Sequence, residues 1–183
     1  DRSDNPVSKI FWGRVPVKSG TSLFRFEKGS AYQTLLHDLK YRGNIRVGLY
    51  LGRLLGLEIK HTSYSECDLL VPVPLHRKRL KQRGYNQSEI IARGASEITG
   101  IPVVTNLIRR QRHSRSQTSL NRQERFENIA TSFTLCNNAA DFNDKKILII
   151  DDVTTTGATL EACCQVLFSH FNCQVYIATV SCA

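Results

Sequence analysis

The chain is expected to fold as an α/β domain, a mostly parallel sheet flanked by helices. Three observations carry that expectation. Strand-like apolar runs alternate with helix-period segments along most of its length. KKILII (145–150) ends in four consecutive apolar residues, as in a parallel strand buried on both faces. Finally, 183 residues with 41% hydrophobic content suffice for one well-buried core and are too few for two comfortable ones.

Taken in order, SLFRFE (22–27) alternates and predicts a strand. Ser30 and Gln33 have capping-box spacing, and Leu35, Leu36 and Leu39 recur on one helical face, so a helix is expected over 31–41. A second helix follows the Gly43-Asn44 turn, over 45–56. DLLVPVP (68–74) is a buried strand ended by prolines, which cannot donate to a ladder. Asn86 with Glu89 caps a helix over 87–99, and Gly100 stops it. LIRR (107–110) and SFTL (132–135) are short strands around an Arg-rich stretch. After KKILII come a helix over 158–170 and a last strand over 173–182.

Charge is concentrated. HRKRLKQRG (76–84) carries five of the 25 Lys and Arg residues and no acid; 109–125 carries six more against Glu124 alone. A net charge of +9 points to anionic partners, either a phosphorylated ligand or weakly held nucleic acid. Aromatic residues for stacking single strands are few there, chiefly Tyr85 and Phe126. The six cysteines have no C-x-x-C pairing and no His at metal-ligand spacing, which reads as free thiols in a reducing, cytoplasmic setting without a zinc site. No apolar run has membrane-spanning length, so no membrane contact is expected. The chain starts at Asp1 and contains no Met, so a further segment upstream is expected.

The stretch KILIIDDVTTTGAT (146–159) concentrates the chemistry. Ligands of parallel sheets sit beyond the carboxyl ends of the strands, where Asp151 and Asp152 fall. The small residues after them lead into a helix. Converging backbone N–H groups, threonine hydroxyls and the helix N-terminus make a cradle for a phosphate monoester. The pattern G-x-x-x-x-G-K-[ST] is absent. Ionised Asp only accepts hydrogen bonds and suits vicinal hydroxyls. A phosphate beside a diol describes ribose 5-phosphate. Helix capping alone would use one Asp and one Thr; two acids and four threonines exceed it.

ILIIDDVTTTGAT resembles the phosphoribosyl pyrophosphate (PRPP) signature of type I phosphoribosyltransferases. With VPVPLHRKRLKQRGYNQ (71–87), LKYRG (39–43) and SQTSLNRQERFENI (116–129), the chain is similar to the ComF family of competence-associated, phosphoribosyltransferase-like proteins. The resemblance implies a type I fold over 31–183, with residues 1–30 as an N-terminal extension and part of a small hood. Many family members also carry a cysteine-rich, zinc-binding segment upstream.

The resemblance further implies site roles. Thr155, Thr156, Gly157, Ala158 and Thr159 would hold the 5-phosphate. Leu75, His76, Arg77 and Lys78 would hold the diphosphate, in a loop that in relatives often carries a cis peptide. Asp151 and Asp152 would grip the diol and, through PRPP, Mg²⁺. The segment 109–129 would close over the ligand and bring Arg115 and Arg122, with Arg125, to the leaving diphosphate; these arginines and the two acids are the catalytic candidates. Lys40 and Arg42 lie in the hood, with no role assigned.

Two functions follow. One is a Mg²⁺- and PRPP-dependent transferase of nucleotide metabolism, acting on a nitrogen nucleophile that the sequence does not name. The other is a competence protein for DNA uptake that uses the fold as scaffold or sensor. The family also admits a homodimer. Purine-salvage relatives place an Asp where Thr155 stands, and a neutral hydroxyl is a poor general base, which argues against a purine acceptor. A receiver domain fails because only one strand follows the acids.

Overall fold

The computed structural model describes residues 5–25, 31–111, 132–136 and 141–183. Its centre is a four-stranded, fully parallel sheet in the order β1-β6-β5-β2. The strands are β1 (Ser19–Arg25), β2 (Leu69–Pro72), β5 (Lys146–Thr154) and β6 (Gln174–Cys182). A separate antiparallel ribbon pairs β3 (Ile108–Arg110) with β4 (Phe133–Leu135). The helices are α1 (Pro6–Phe11), α2 (Ala31–Tyr41), α3 (Ile45–Lys60), α4 (Arg77–Arg83), α5 (Gln87–Thr99) and α6 (Ala158–Phe168).

Burial explains the central strand. Ile147, Leu148, Ile149 and Ile150 are all fully enclosed, each contributing ~1.5–3 kcal/mol relative to exposure. Ile147 and Ile149 face the layer of α1, α6 and the β3-β4 ribbon, while Leu148 and Ile150 face α2, α3 and α5. A strand covered on both faces reads as one apolar run. The stretch before residue 30 supplies the edge strand β1 and two enclosed side chains, Val7 and Phe11.

The α3-α5 contact is unusually close. A Cβ on Gly52 would lie 2.2 Å from the Ile91 carbonyl oxygen, and one on Gly94 would lie 2.3 Å from that of Leu49. Glycine is required there so that the two backbones can touch. This packing fixes α5, and α5 presents Ser88 to the end of β5.

Several boundaries differ from expectation. β1 begins at Ser19 instead of 22, residues 26 and 27 of the expected strand lying outside the described residues, and α3 runs on to Lys60 instead of ending at 56. β5 passes through both acids to Thr154, because its register with β6 continues to Thr154↔Cys182. Two helices were not expected. α1 is six residues long, too short for a periodic signal. α4 has one apolar residue, Leu80, and buries none of its side chains.

Candidate functional site

A crevice opens because two neighbours of β5 end at different heights. Pairing with β2 stops at Pro72↔Ile150, while pairing with β6 continues to Thr154. Pro72 and Pro74 take the β2 chain away from the sheet after one more bond, Val73 N to Ile150 O at 2.9 Å. Asp151 and Asp152 follow immediately on the unpaired flank.

Both carboxylates are buried, at 7% and 5% exposure. Asp151 Oδ1 accepts from Ser88 Oγ at 2.8 Å and from the Asp152 N–H at 2.9 Å. Asp152 Oδ1 accepts from the Val153 N–H at 2.8 Å. Among the described residues, its other oxygen, Oδ2, has only the Lys40 ammonium at 2.7 Å, an ion pair outside hydrogen-bond geometry. Burial, and then the neighbouring Asp152 charge, push the Asp151 carboxyl up to about 7. Both Asp151 and Asp152 are poised to accept from hydroxyls.

The loop after them is a cradle of backbone donors. Among the described residues, none accepts a hydrogen bond from the N–H of Thr155 through Leu160. These residues line a small cavity together with Asp151, Val153 and Thr154. Gly157 has φ +74°, and a Cβ there would lie 2.5 Å from Ile10 Cγ2 and 3.0 Å from Phe11 Cε1. Helix α1 thus packs on the back of the loop.

Arg14 completes that brace. Its guanidinium donates to the carbonyls of Ile10 at 2.9 Å and Thr156 at 2.7 Å, and pairs with the largely buried Glu161 on α6. In a trans peptide the C=O and the following N–H point oppositely. By holding the Thr156 carbonyl on the Arg14 side, this contact aims the Gly157 N–H the other way, into the cavity.

The stretch that follows β2 is basic. His76 caps α4, its Nδ1 accepting from the Lys78 N–H at 3.2 Å. Leu75 and His76 are half-buried, and Arg77 and Lys78 are exposed. Every described peptide is trans, including those of this loop. Arg110, at the end of β3, lies over the Phe133 ring at 5.1 Å. Burial first, and then the Arg79 charge, hold its guanidinium below the ordinary arginine value, while Asp151 acts in the opposite sense.

The structure therefore brings together Asp151, Asp152 and the 155–159 loop, with the 75–78 stretch beyond the end of β2. Arg115, Arg122 and Arg125 lie outside the described residues. Five participants escaped notice or assignment in the sequence. Lys40 had no role, and Arg14, Ser88 and Glu161 gave no local signal. For Arg110 there was one faint sign, a basic residue ending a strand just before an Arg-rich stretch.

The donor set fits magnesium carried in by a phosphorylated ligand. Mg²⁺ prefers one or two carboxylates together with substrate phosphates and water, and Asp152 Oδ2 is a buried oxygen with no hydrogen bond of its own. Among the described residues, no group of three or more His, Cys, Asp or Glu is placed to hold a metal. No helix among them is long and apolar enough to cross a membrane.

The chain is similar to several known proteins. Residues 81–183 match the phosphoribosyl transferase domain. Competence protein F of Haemophilus influenzae is 29% identical over 69% of this chain and 57% of its own length. DNA utilization protein YhgH of Escherichia coli K12 is 31% identical over 74% of this chain. The chain spans only 60% of that relative's length. Among solved structures, a purine phosphoribosyltransferase from Pyrococcus horikoshii shares 18% identity, with a TM-score of 0.45 over 73% of this chain and 81% of that one. The adenine phosphoribosyltransferase of Leishmania tarentolae shares 10%, with a TM-score of 0.47 over 99% and 89%. The chain belongs to the phosphoribosyltransferase domain family, in the group that includes competence protein F and YhgH.

Proposed function

We infer that the chain is a PRPP-binding phosphoribosyltransferase, which moves ribose 5-phosphate from PRPP to a nitrogen nucleophile and releases diphosphate. One observation carries the reading: the backbone N–H groups of Thr155–Leu160, which find no acceptor among the described residues, stand beside the buried pair Asp151–Asp152. The amides, with the hydroxyls of Thr155, Thr156 and Thr159, receive the 5-phosphate. Asp151 and Asp152 accept from the ribose 2- and 3-hydroxyls. Leu75, His76, Arg77 and Lys78 receive the diphosphate, through the first turn of α4 and two cations.

Chemistry at ribose C1 needs little from the protein beyond placement and charge. The C1–O bond to diphosphate lengthens, positive charge grows on the ribose, and the nitrogen lone pair closes on C1. Carboxylates fixed beneath the ribose favour that positive charge. Cations at 77 and 78 favour the negative charge collecting on the departing diphosphate. A Mg²⁺ held by the diphosphate and by Asp151 and Asp152 would neutralise further charge on the leaving group. Lys40 is the resident counter-ion of Asp152, and it must yield to the incoming ligand.

Calorimetry with PRPP and Mg²⁺ tests this directly. The Asp151→Asn/Asp152→Asn variant should keep its circular dichroism and lose at least about 100-fold in affinity, since hydrogen bonds to charged groups are worth ~1.5–3 kcal/mol each. Normal PRPP binding by the folded double variant would reduce the acids to capping groups. The relatives' names, competence and DNA utilization, favour a second reading as a DNA-handling protein. That reading expects DNA binding that persists at high salt, with no PRPP binding; a merely basic surface loses affinity steeply as salt rises.

A further inference from the structure

A transferase needs a place for its second substrate, and the molecule has an unassigned cavity beside the first. It is about 410 Å³, within the range of small-molecule sites. Its walls are Lys40, Tyr41 and Gly43, where α2 meets the turn to α3, and Arg79, Gln82 and Arg83 on α4. None of the residues 75–78 lines it, so diphosphate gripped by that stretch would leave the cavity open. It is also not remote, because Lys40 both lines it and reaches Asp152 at 2.7 Å.

Charge defines what it accepts. Among the described residues, three cations line it and no acid does. Lys40 is paired with Asp152. Arg83 bonds the Gln87 amide oxygen and lies over the Tyr41 ring at 5.8 Å, which holds it across the gap between α4 and α2. Arg79 is exposed and has no carboxylate partner among the described residues. It also stands close enough to Arg110 for the two positive charges to oppose each other. An anion between Arg79 and Arg83 relieves that opposition and gains charge-assisted hydrogen bonds from both. Two guanidinium groups present planar pairs of donors, matched to a carboxylate or phosphate.

We propose that this cavity is the acceptor site, and that the nitrogen nucleophile carries an anionic group, carboxylate or phosphate, held by Arg79 and Arg83. The assignment rests on the phosphoribosyl-transfer reading and deepens it. Binding the acceptor by its anion, one side chain from Asp152, leaves its nitrogen free to approach the ribose. A neutral acceptor would bring no counter-charge to the two guanidinium groups.

The test is calorimetry on the full chain, first with ribose 5-phosphate, then with Mg²⁺-diphosphate, and then with inorganic phosphate or acetate as the bare anion. One further equivalent of anion should bind to the loaded chain, and the stronger of the two probes identifies the group preferred. Arg79→Gln/Arg83→Gln should weaken that last equivalent at least tenfold, while ribose 5-phosphate and diphosphate stay within twofold. Arg77→Ala/Lys78→Ala should weaken diphosphate at least tenfold and leave ribose 5-phosphate and the last equivalent of anion within twofold. With PRPP and Mg²⁺, 4-aminobenzoate should compete for the same equivalent at least tenfold better than 4-aminobenzamide. No further equivalent, or one indifferent to Arg79 and Arg83, overturns the acceptor site. If the Arg79/Arg83 variant instead weakens diphosphate, the cavity belongs to the leaving group, and only the acceptor assignment falls. If ribose 5-phosphate does not bind the native chain, the transfer reading falls and takes the acceptor role with it. A short single-stranded oligonucleotide that displaces the anion stoichiometrically at high salt overturns the assignment in favour of DNA.

Discussion

The two walls of the crevice are built on opposite principles. On one side, the 155–159 loop offers backbone amides and is braced from behind by α1, Arg14 and Glu161. On the other, α4 offers long side chains on seven residues, none of them buried. Under the proposed transfer, the 5-phosphate is the same in substrate and product, and a preorganised cradle for it spends no free energy on ordering itself at binding. Diphosphate would leave and an acceptor arrive, and side chains on an exposed turn can follow them. The difference assigns constancy to the loop and adjustment to the helix.

Breaking the brace should have the largest effect. Gly157→Ala places a methyl group at φ +74° and 2.5 Å from Ile10 Cγ2. The combined strain is of order 1–3 kcal/mol or more. Ribose 5-phosphate affinity should fall at least about tenfold, on the scale where 1.4 kcal/mol is a factor of ten, and thermal stability should fall with it. Leu80→Ala on α4, an exposed position, should change stability by no more than ~0.5 kcal/mol. Equal losses from the two substitutions would erase the contrast.

A middle-sized effect tests whether the brace acts through loop geometry. Arg14 lies behind the loop, so Arg14→Gln should weaken ribose 5-phosphate binding ~3- to 10-fold, roughly the worth of one or two hydrogen bonds. Glu161 would then be left largely buried without its cation. Adding Glu161→Gln should therefore recover thermal stability while the affinity stays low. If affinity returns together with stability, Arg14 serves the fold alone.

The smallest effect lies at the seam between the walls, at Asp151. Its carboxyl is raised to about 7 in the folded chain, from the ordinary 3.8. Between those two values the unfolded chain binds fewer protons, so this group's contribution to stability is lost as pH rises through that window. Asp151→Asn keeps an acceptor for Ser88 and for the Asp152 N–H. It should therefore melt higher than the native chain at pH 8, by about 3 °C or more, and the gap should close towards pH 4. A lower melting point at pH 8 would make the carboxylate a structural cap.

Legibility followed distance along the chain. Asp151, Asp152 and the threonine loop could be read because strand, acids and helix start are contiguous, and each signature depends on near neighbours. Lys40 was seen in LKYRG but could not be assigned, since its partner Asp152 is brought to it only by the packing of α2 on the sheet. Arg14 meets Thr156 from 142 positions away, and Ser88 meets Asp151 from 63. No periodicity or spacing encodes such encounters. α4 was hidden for another reason: an exposed helix of charged residues has no apolar stripe to betray it.

By itself, the sequence determined the α/β class, the buried central strand and the run of two acids and a threonine loop at its end. Those features arise from burial patterns and from backbone donors at a strand-to-helix junction, both local properties. Tertiary structure decided that β2 ends short and opens a crevice, that α1 and Arg14 brace the loop, and that Lys40, Arg79 and Arg83 surround one cavity. Each of these depends on which segments the folded core brings face to face. Long-range packing sets that, and no short stretch of chain contains it.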